Sequence, residues 1–129
     1  MAHGSPLDED AYLLGPADVV AILPQLRTQL TFFGHTHVQG GFVATPTGVR
    51  EIDPACPLES RPEDGPCLVN PGSVGQPRDG DPRAAYALYN AEAGVVSYCR
   101  VEYDVESAQR KIRDGGLPPF LAERLSVGR

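Results

Sequence analysis

Two short apolar runs, Leu30-Thr31-Phe32-Phe33 and Cys67-Leu68-Val69-Asn70, each empty straight into a glycine-bearing polar segment, and this constrains the fold more than any other feature. Runs of this length, bounded by turn residues, read as buried strands rather than helices. Strands so short must be held by neighbours in a sheet, and whatever follows them is held at the sheet's carboxyl edge. The 14 glycines and 13 prolines are scattered along the chain, which implies many turns between short elements. No internal repeat is visible.

The remaining pattern is that of one α/β domain. Val19, Val20, Ile22, Leu23 and Leu26 recur at helical spacing behind Gly15, with Pro16 or Ala17 in the first turn and Pro24 ending or kinking the helix. Residues 40–45 and 48–52 read as a hairpin around Pro46-Thr47-Gly48, and residues 53–66 as an exposed loop rich in proline and charge. Residues 84–90 and 94–103 alternate as an antiparallel pair turning at 91–94, which makes the sheet largely antiparallel in this half. Asp104 is placed to cap a helix through Arg113 that Gly115-Gly116 closes, and Pro118 or Pro119 opens a last short helix ending near Leu125.

At 129 residues the chain suffices for one small domain with a core. Its formal charge of -6 disfavours a nonspecific grip on nucleic acid phosphates, which takes clustered lysine and arginine, and favours divalent cations. No apolar stretch is long enough to span a bilayer, and residues 1–10 lack the pattern of a signal peptide, so the expected location is cytoplasmic. Cys56, Cys67 and Cys99 are odd in number and lack paired spacing; they read as free thiols, with Cys99 packed in a strand.

All three histidines stand in glycine-punctuated segments: His3 in His-Gly-Ser-Pro, and His35 and His37 in Gly-His-Thr-His at the exit of the first strand. Neutral imidazole is the commonest metal-binding side chain, and two of them separated by one residue after a strand can converge on adjacent ions. The competing reading is that each satisfies a hydrogen bond or faces water, with His3 close to a chain terminus. The second exit, residues 71–83, is where a substrate or a supporting network would sit. Its own alternative reading has glycines shaping the turn, Asn70 capping the strand end, and Arg78 paired with Asp79 or Asp81.

His3-Gly4-Ser5-Pro6, Gly34-His35-Thr36-His37 and Asn70-Pro71-Gly72-Ser73-Val74-Gly75-Gln76-Pro77-Arg78 stand in the order seen in calcineurin-like metallophosphoesterases, and the chain resembles the small bacterial phosphodiesterase and diadenosine tetraphosphatase-like branch over nearly its whole length. The resemblance implies a sandwich of mixed, largely antiparallel sheets flanked by helices, and hydrolysis of phosphoric esters with two divalent ions, Mn, Fe or Zn. It implies that His37 is a ligand of one metal and His35 and His3 of the other. Asn70, Ser73 and Arg78 resemble a loop supporting that site, with Arg78 touching substrate phosphate. A single zinc held by His3, His35, His37 and water is the other arrangement open to these residues.

The family's earlier motifs, Asp-x-His, Gly-Asp-x-x-Asp and Gly-Asn-His, do not occur in these residues. The chain therefore corresponds to the carboxyl-terminal half of such a domain, without the carboxylates that offset the repulsion between two dications. Open strand edges beside residues 30–33 then call for a homo-oligomer, strand exchange or a complementing amino-terminal half. Two classes of function follow: an enzyme completed by that half, or a catalytically inactive assembly module that keeps its histidines.

Overall fold

A computed structural model of the chain describes residues 1–59 and 65–129. Helix α1 (Pro16–Ile22) forms where the periodicity places it, with Val19 and Ile22 buried on one face. The Asp18 carboxylate accepts hydrogen bonds from the Leu14 and Gly15 amides at 2.8 and 3.1 Å, satisfying backbone groups just before the first turn. The α-helix stops at Ile22, and residues 23–25, which include Pro24, wind as a single 3-10 turn. Proline has no N–H to continue the ladder.

Among the described residues seven strands follow: β1 (Leu30–Phe32), β2 (Gln39–Thr45), β3 (Gly48–Glu51), β4 (Leu58–Glu59), β5 (Cys67–Pro71), β6 (Ala84–Asn90) and β7 (Val95–Val101). They make two sheets, one in the order β1-β5-β2-β3 and the other β4-β7-β6. Only β1 and β5 run parallel, with Leu30 opposite Cys67 and Phe32 opposite Val69; every other pairing is antiparallel. Pro46 and Thr47 turn the first hairpin, since Thr45 pairs with Gly48. Helices α2 (Val105–Asp114) and α3 (Pro119–Glu123) close the chain, α2 capped by Asp104 as the sequence predicts.

The architecture is a mixed α/β sandwich, largely antiparallel, and β5 explains its layering. Cys67 through Asn70 are all buried because this central strand is covered on both sides. Leu68 joins Leu13, Val19, Ile22, Phe33 and Phe42 under helix α1. Cys67 and Val69, pointing the other way, pack with Val43, Ile52, Leu58 and Val96 between the sheets. Each such side chain contributes about 1.5–3 kcal/mol when fully buried. Polar ties reinforce the gap: the Gln39 amide faces the carbonyls of Pro71, Tyr86 and Cys99 at 3.3, 3.0 and 3.1 Å. The Tyr98 hydroxyl donates to the Gly40 carbonyl at 2.6 Å, and burial pushes its pKa well above the ordinary tyrosine range.

The predicted loop over 53–66 needs correction. Leu58–Glu59 form β4 against β7, and Leu58 is buried between the sheets. One apolar side chain with a core to enter outweighed the turn-forming residues around it; residues 60–64 lie outside the described residues. Cys56 and Cys99 are free thiols, Cys67 is buried in β5, and Cys99 sits in β7 but is only partly buried. Among the described residues no helix is long and apolar enough to cross a membrane.

Gly41 is the point of closest approach within the first sheet. Its φ is +140°, and a Cβ placed there would lie 2.0 Å from the Leu68 carbonyl oxygen on β5. Gly41→Ala is expected to lower unfolding free energy by roughly 3 kcal/mol through strain and overpacking. Urea denaturation would measure this, and a midpoint unchanged from wild type would refute the close approach.

Candidate metal centre

Because β1 and β5 are parallel neighbours, their carboxyl ends lie side by side and the loops that follow emerge from one edge of the sheet. Such strand ends are where open α/β sheets hold ligands. One side chain joins the two exits. The Asn70 amide, 1% exposed, donates to the Thr36 hydroxyl at 2.7 Å and the Gly34 carbonyl at 3.3 Å, while its oxygen accepts from the Gly72 amide at 2.9 Å. Thr36 is itself buried and its oxygen accepts from the Val38 amide at 3.2 Å.

This bracing holds an unusual backbone. His35 and His37 are the only described non-glycine residues with positive φ, at 68° and 61°. The Thr36 amide donates to the Gly34 carbonyl at 2.8 Å, closing a three-residue turn centred on His35. Classic γ-turns of this kind are rare and strained, and left-handed non-glycine residues cost about 1–3 kcal/mol each. The strain falls on the two residues that the motif marks as ligands, with Thr36 anchoring the loop between them.

The structure brings His3 and His35 together. His3 Nε2 and His35 Nδ1 are 3.0 Å apart, and backbone bonds from Gly34 N to His3 O (2.7 Å) and from Ala2 N to Phe32 O (2.9 Å) hold the first residues along the end of β1. Two nitrogens held tetrahedrally by one ion, each about 2.0–2.1 Å from it, are themselves about 3.3 Å apart. The spacing is that of a hydrogen bond and is a few tenths of an ångström short of that for a shared ion.

His37 is oriented separately. Its Nδ1 lies 2.8 Å from the Gln76 carbonyl, which can only accept, so Nδ1 carries the proton and neutral His37 keeps its Nε2 lone pair free. A ligating imidazole is commonly fixed this way through its other nitrogen. Burial pulls the His37 pKa below its ordinary value; the Gln76 contact opposes this, while Arg78, His35 and His3 add to it as neighbouring positive charge. The three rings thus share one neighbourhood, yet among the described residues no group of three His, Cys, Asp or Glu side chains converges closely enough to hold a metal ion. Within this neighbourhood His35 is turned to His3, and His37 is tied to the other loop.

The second exit loop is mainly a brace. The Ser73 hydroxyl accepts from the Gly75 and Gln76 amides at 3.3 and 2.9 Å, shaping the turn that aims the Gln76 carbonyl at His37. Arg78 does not pair with Asp79 or Asp81, as its alternative reading supposed. Arg100 takes Asp79 at 2.5 Å and approaches Asp81 at 3.6 Å, and Arg83 takes Asp81 at 2.5 Å. Arg78 donates to the Gln76 side chain at 3.2 Å, and its buried Nε has no hydrogen-bond partner. A cation without a carboxylate beside His37 suits an anion.

Two contributors were missed in the sequence. Gln76 acts through its carbonyl, which no side-chain pattern can reveal. Tyr12 packs its ring on His35 at a centroid distance of 4.0 Å, and only the fold brings it there.

Loss of the Asn70 brace should be costly: Asn70→Ala leaves Thr36 and Gly72 without their partners, and is expected to lower stability by about 1–3 kcal/mol in chemical denaturation. A second expectation concerns Asp79. Burial raises its carboxyl pKa, but the Arg100 hydrogen bond and charge and the Gln39 amide outweigh burial, so the value lies below the ordinary 3.8. A depressed carboxyl stabilises the fold above about pH 3.8 and loses that contribution as pH falls through the folded value. Asp79→Asn should therefore destabilise the protein at neutral pH and flatten the acid limb of its stability profile, as measured by thermal unfolding between pH 2 and pH 7.

Comparisons with known proteins identify the family and the fold. The calcineurin-like phosphoesterase superfamily domain matches residues 1–94, and the chain belongs to that superfamily. Residues 95–129 fall outside that match. The uncharacterized protein MJ0912 of Methanocaldococcus jannaschii is 38% identical over 105 residues, which cover 78% of this chain and 40% of the relative. A metallophosphoesterase from Sphaerobacter thermophilus superposes with a TM-score of 0.82 at 35% identity, covering 99% of this chain and 54% of that one. The hypothetical protein PH1004 of Pyrococcus horikoshii shares the fold at 22% identity and a TM-score of 0.70, over 99% of this chain and 45% of its own. The chain thus spans about half the length of the proteins it matches.

Proposed function

We propose that the chain carries the histidine side of a metal-dependent phosphoesterase centre, with His3 and His35 serving one divalent ion and His37 a second. The observation that supports this best is the 3.0 Å approach of His3 Nε2 to His35 Nδ1 on a strained, braced loop. Membership of the superfamily supports divalent metal and phosphoric ester hydrolysis in general; Mn, Fe or Zn and a phosphodiester substrate are this proposal's own terms. Such ions supply polarisation of the phosphoryl group and acidification of water. The chain's own residues aim the imidazoles, burial favours the neutral form of His37, and Arg78 offers positive charge to the substrate phosphate.

No carboxylate joins these histidines among the described residues. Neutral ligands alone leave two dications repelling each other, so the missing negative charge would come from polypeptide beyond these 129 residues, in the same chain or another. The edge of β1, which residues 2 and 3 meet only at its Phe32 end, is where such a segment would dock. The same deficit favours the second reading, a non-catalytic assembly module, for the 129 residues taken alone.

Because His35 and His37 both have positive φ, glycine is the substitution that deletes either ring without adding strain. Metal content by plasma mass spectrometry, on protein purified without tag or chelator, should be near-stoichiometric in wild type and lost in the His35→Gly, His37→Gly double variant. Manganese-supported hydrolysis of bis(p-nitrophenyl) phosphate should fall at least tenfold with it. Equal metal and equal turnover in the two proteins would overturn the phosphoesterase reading; histidine-dependent metal without turnover would favour the module.

A further inference from the structure

We infer that Tyr12 is a positioning residue for the metal ligand His35, holding its imidazole in place by ring contact where no hydrogen bond does so. The inference rests on the metal reading proposed above. His37 has an orienting partner in the Gln76 carbonyl. Among the described residues His35 has none of that kind: its one ring hydrogen bond there is to His3, the other proposed ligand of the same ion. A ligating imidazole whose remaining nitrogen lacks a partner needs another restraint against rotation.

Tyr12 supplies it. Its ring lies 4.0 Å from the His35 ring, centroid to centroid, at an interplanar angle of 38°. His3 meets the same ring at 4.8 Å, nearly edge-on at 68°. Both flanking groups come from the two ends of one loop. The Ser5 amide donates to the Ala11 carbonyl at 3.0 Å, the Ala11 amide to the Asp8 carbonyl at 3.1 Å, and Ser5 and Asp8 form an isolated β-bridge. Gly4 allows this closure, since a Cβ there would lie 2.4 Å from the Glu9 carbonyl oxygen. Leu13, 5% exposed, then pins the far end of the loop in the core under α1. The loop brings both Tyr12 and His3 against the His35 ring. Tyr12 is 46% exposed, so core burial does not account for its position. No hydroxyl hydrogen bond is involved in the contact, which makes the ring face the operative part.

Titration of the full chain with Mn²⁺ and Zn²⁺ by calorimetry tests this, using Tyr12→Leu, Tyr12→Phe and His35→Gly beside wild type. Tyr12→Leu should bind about tenfold more weakly, in line with loss of other orienting groups around metal ligands. Tyr12→Phe should bind as wild type does. In the metal-free protein, the carbon-bound ring protons of His35 should show an upfield ring-current shift in wild type and Tyr12→Phe, and lose it in Tyr12→Leu. Equal affinity in all three Tyr12 proteins, or a Tyr12→Phe variant as weak as Tyr12→Leu, would overturn the inference. His35→Gly separates the two claims. If it binds metal as wild type does, the metal reading fails and this inference falls with it; if it loses the metal while Tyr12→Leu keeps full affinity, only the role of Tyr12 is overturned.

Discussion

The Asn70 side chain is the interaction on which the arrangement of the site depends. One buried amide spans from the end of β5 to the Gly34 carbonyl and the Thr36 hydroxyl, so the two strand exits cannot move independently. Its strength comes from burial: at 1% exposure, water cannot replace either bond, and breaking one leaves a donor or acceptor unsatisfied. The brace offsets part of the cost of the left-handed backbone at His35 and His37, which opening the turn would relax.

From this brace the site is built outward by groups that aim one another. Ser73 shapes the turn that presents the Gln76 carbonyl, and that carbonyl sets the His37 proton on Nδ1. Asp79 accepts from the Gln39 amide and from Arg100 of β7, so the loop after β5 is tied to both sheets. With Asp79 and Asp81 engaged by Arg100 and Arg83, Arg78 is left without a carboxylate beside His37. Positive charge near the imidazoles and neutral ligands within them describe half of an electrostatic design, one that anions on a substrate or carboxylates on a further segment would balance.

Much of the fold was legible because local chemistry and tertiary context agree there. Helix α1, the Pro46-Thr47 turn, the β6–β7 pair and the Asp104 cap follow from periodicity, turn residues and capping, each a short-range effect. Strand β4 was not legible, since Leu58 pairs with Val96 only after the chain has brought two distant segments together. The same divide runs through the site. His3, His35 and His37 stand out by residue type, whereas Gln76 acts through a backbone carbonyl and Tyr12 through proximity alone.

By itself the sequence determined the α/β class, the two strand exits and which residue types could meet a metal, because strand length, glycine placement and imidazole chemistry are properties of short stretches. The tertiary structure alone decided that β1 and β5 lie parallel, that His35 faces His3 while His37 faces the other loop, and that Arg100 rather than Arg78 takes Asp79. Those outcomes turn on register and backbone handedness, which depend on contacts between residues far apart in the chain, and no local pattern encodes them.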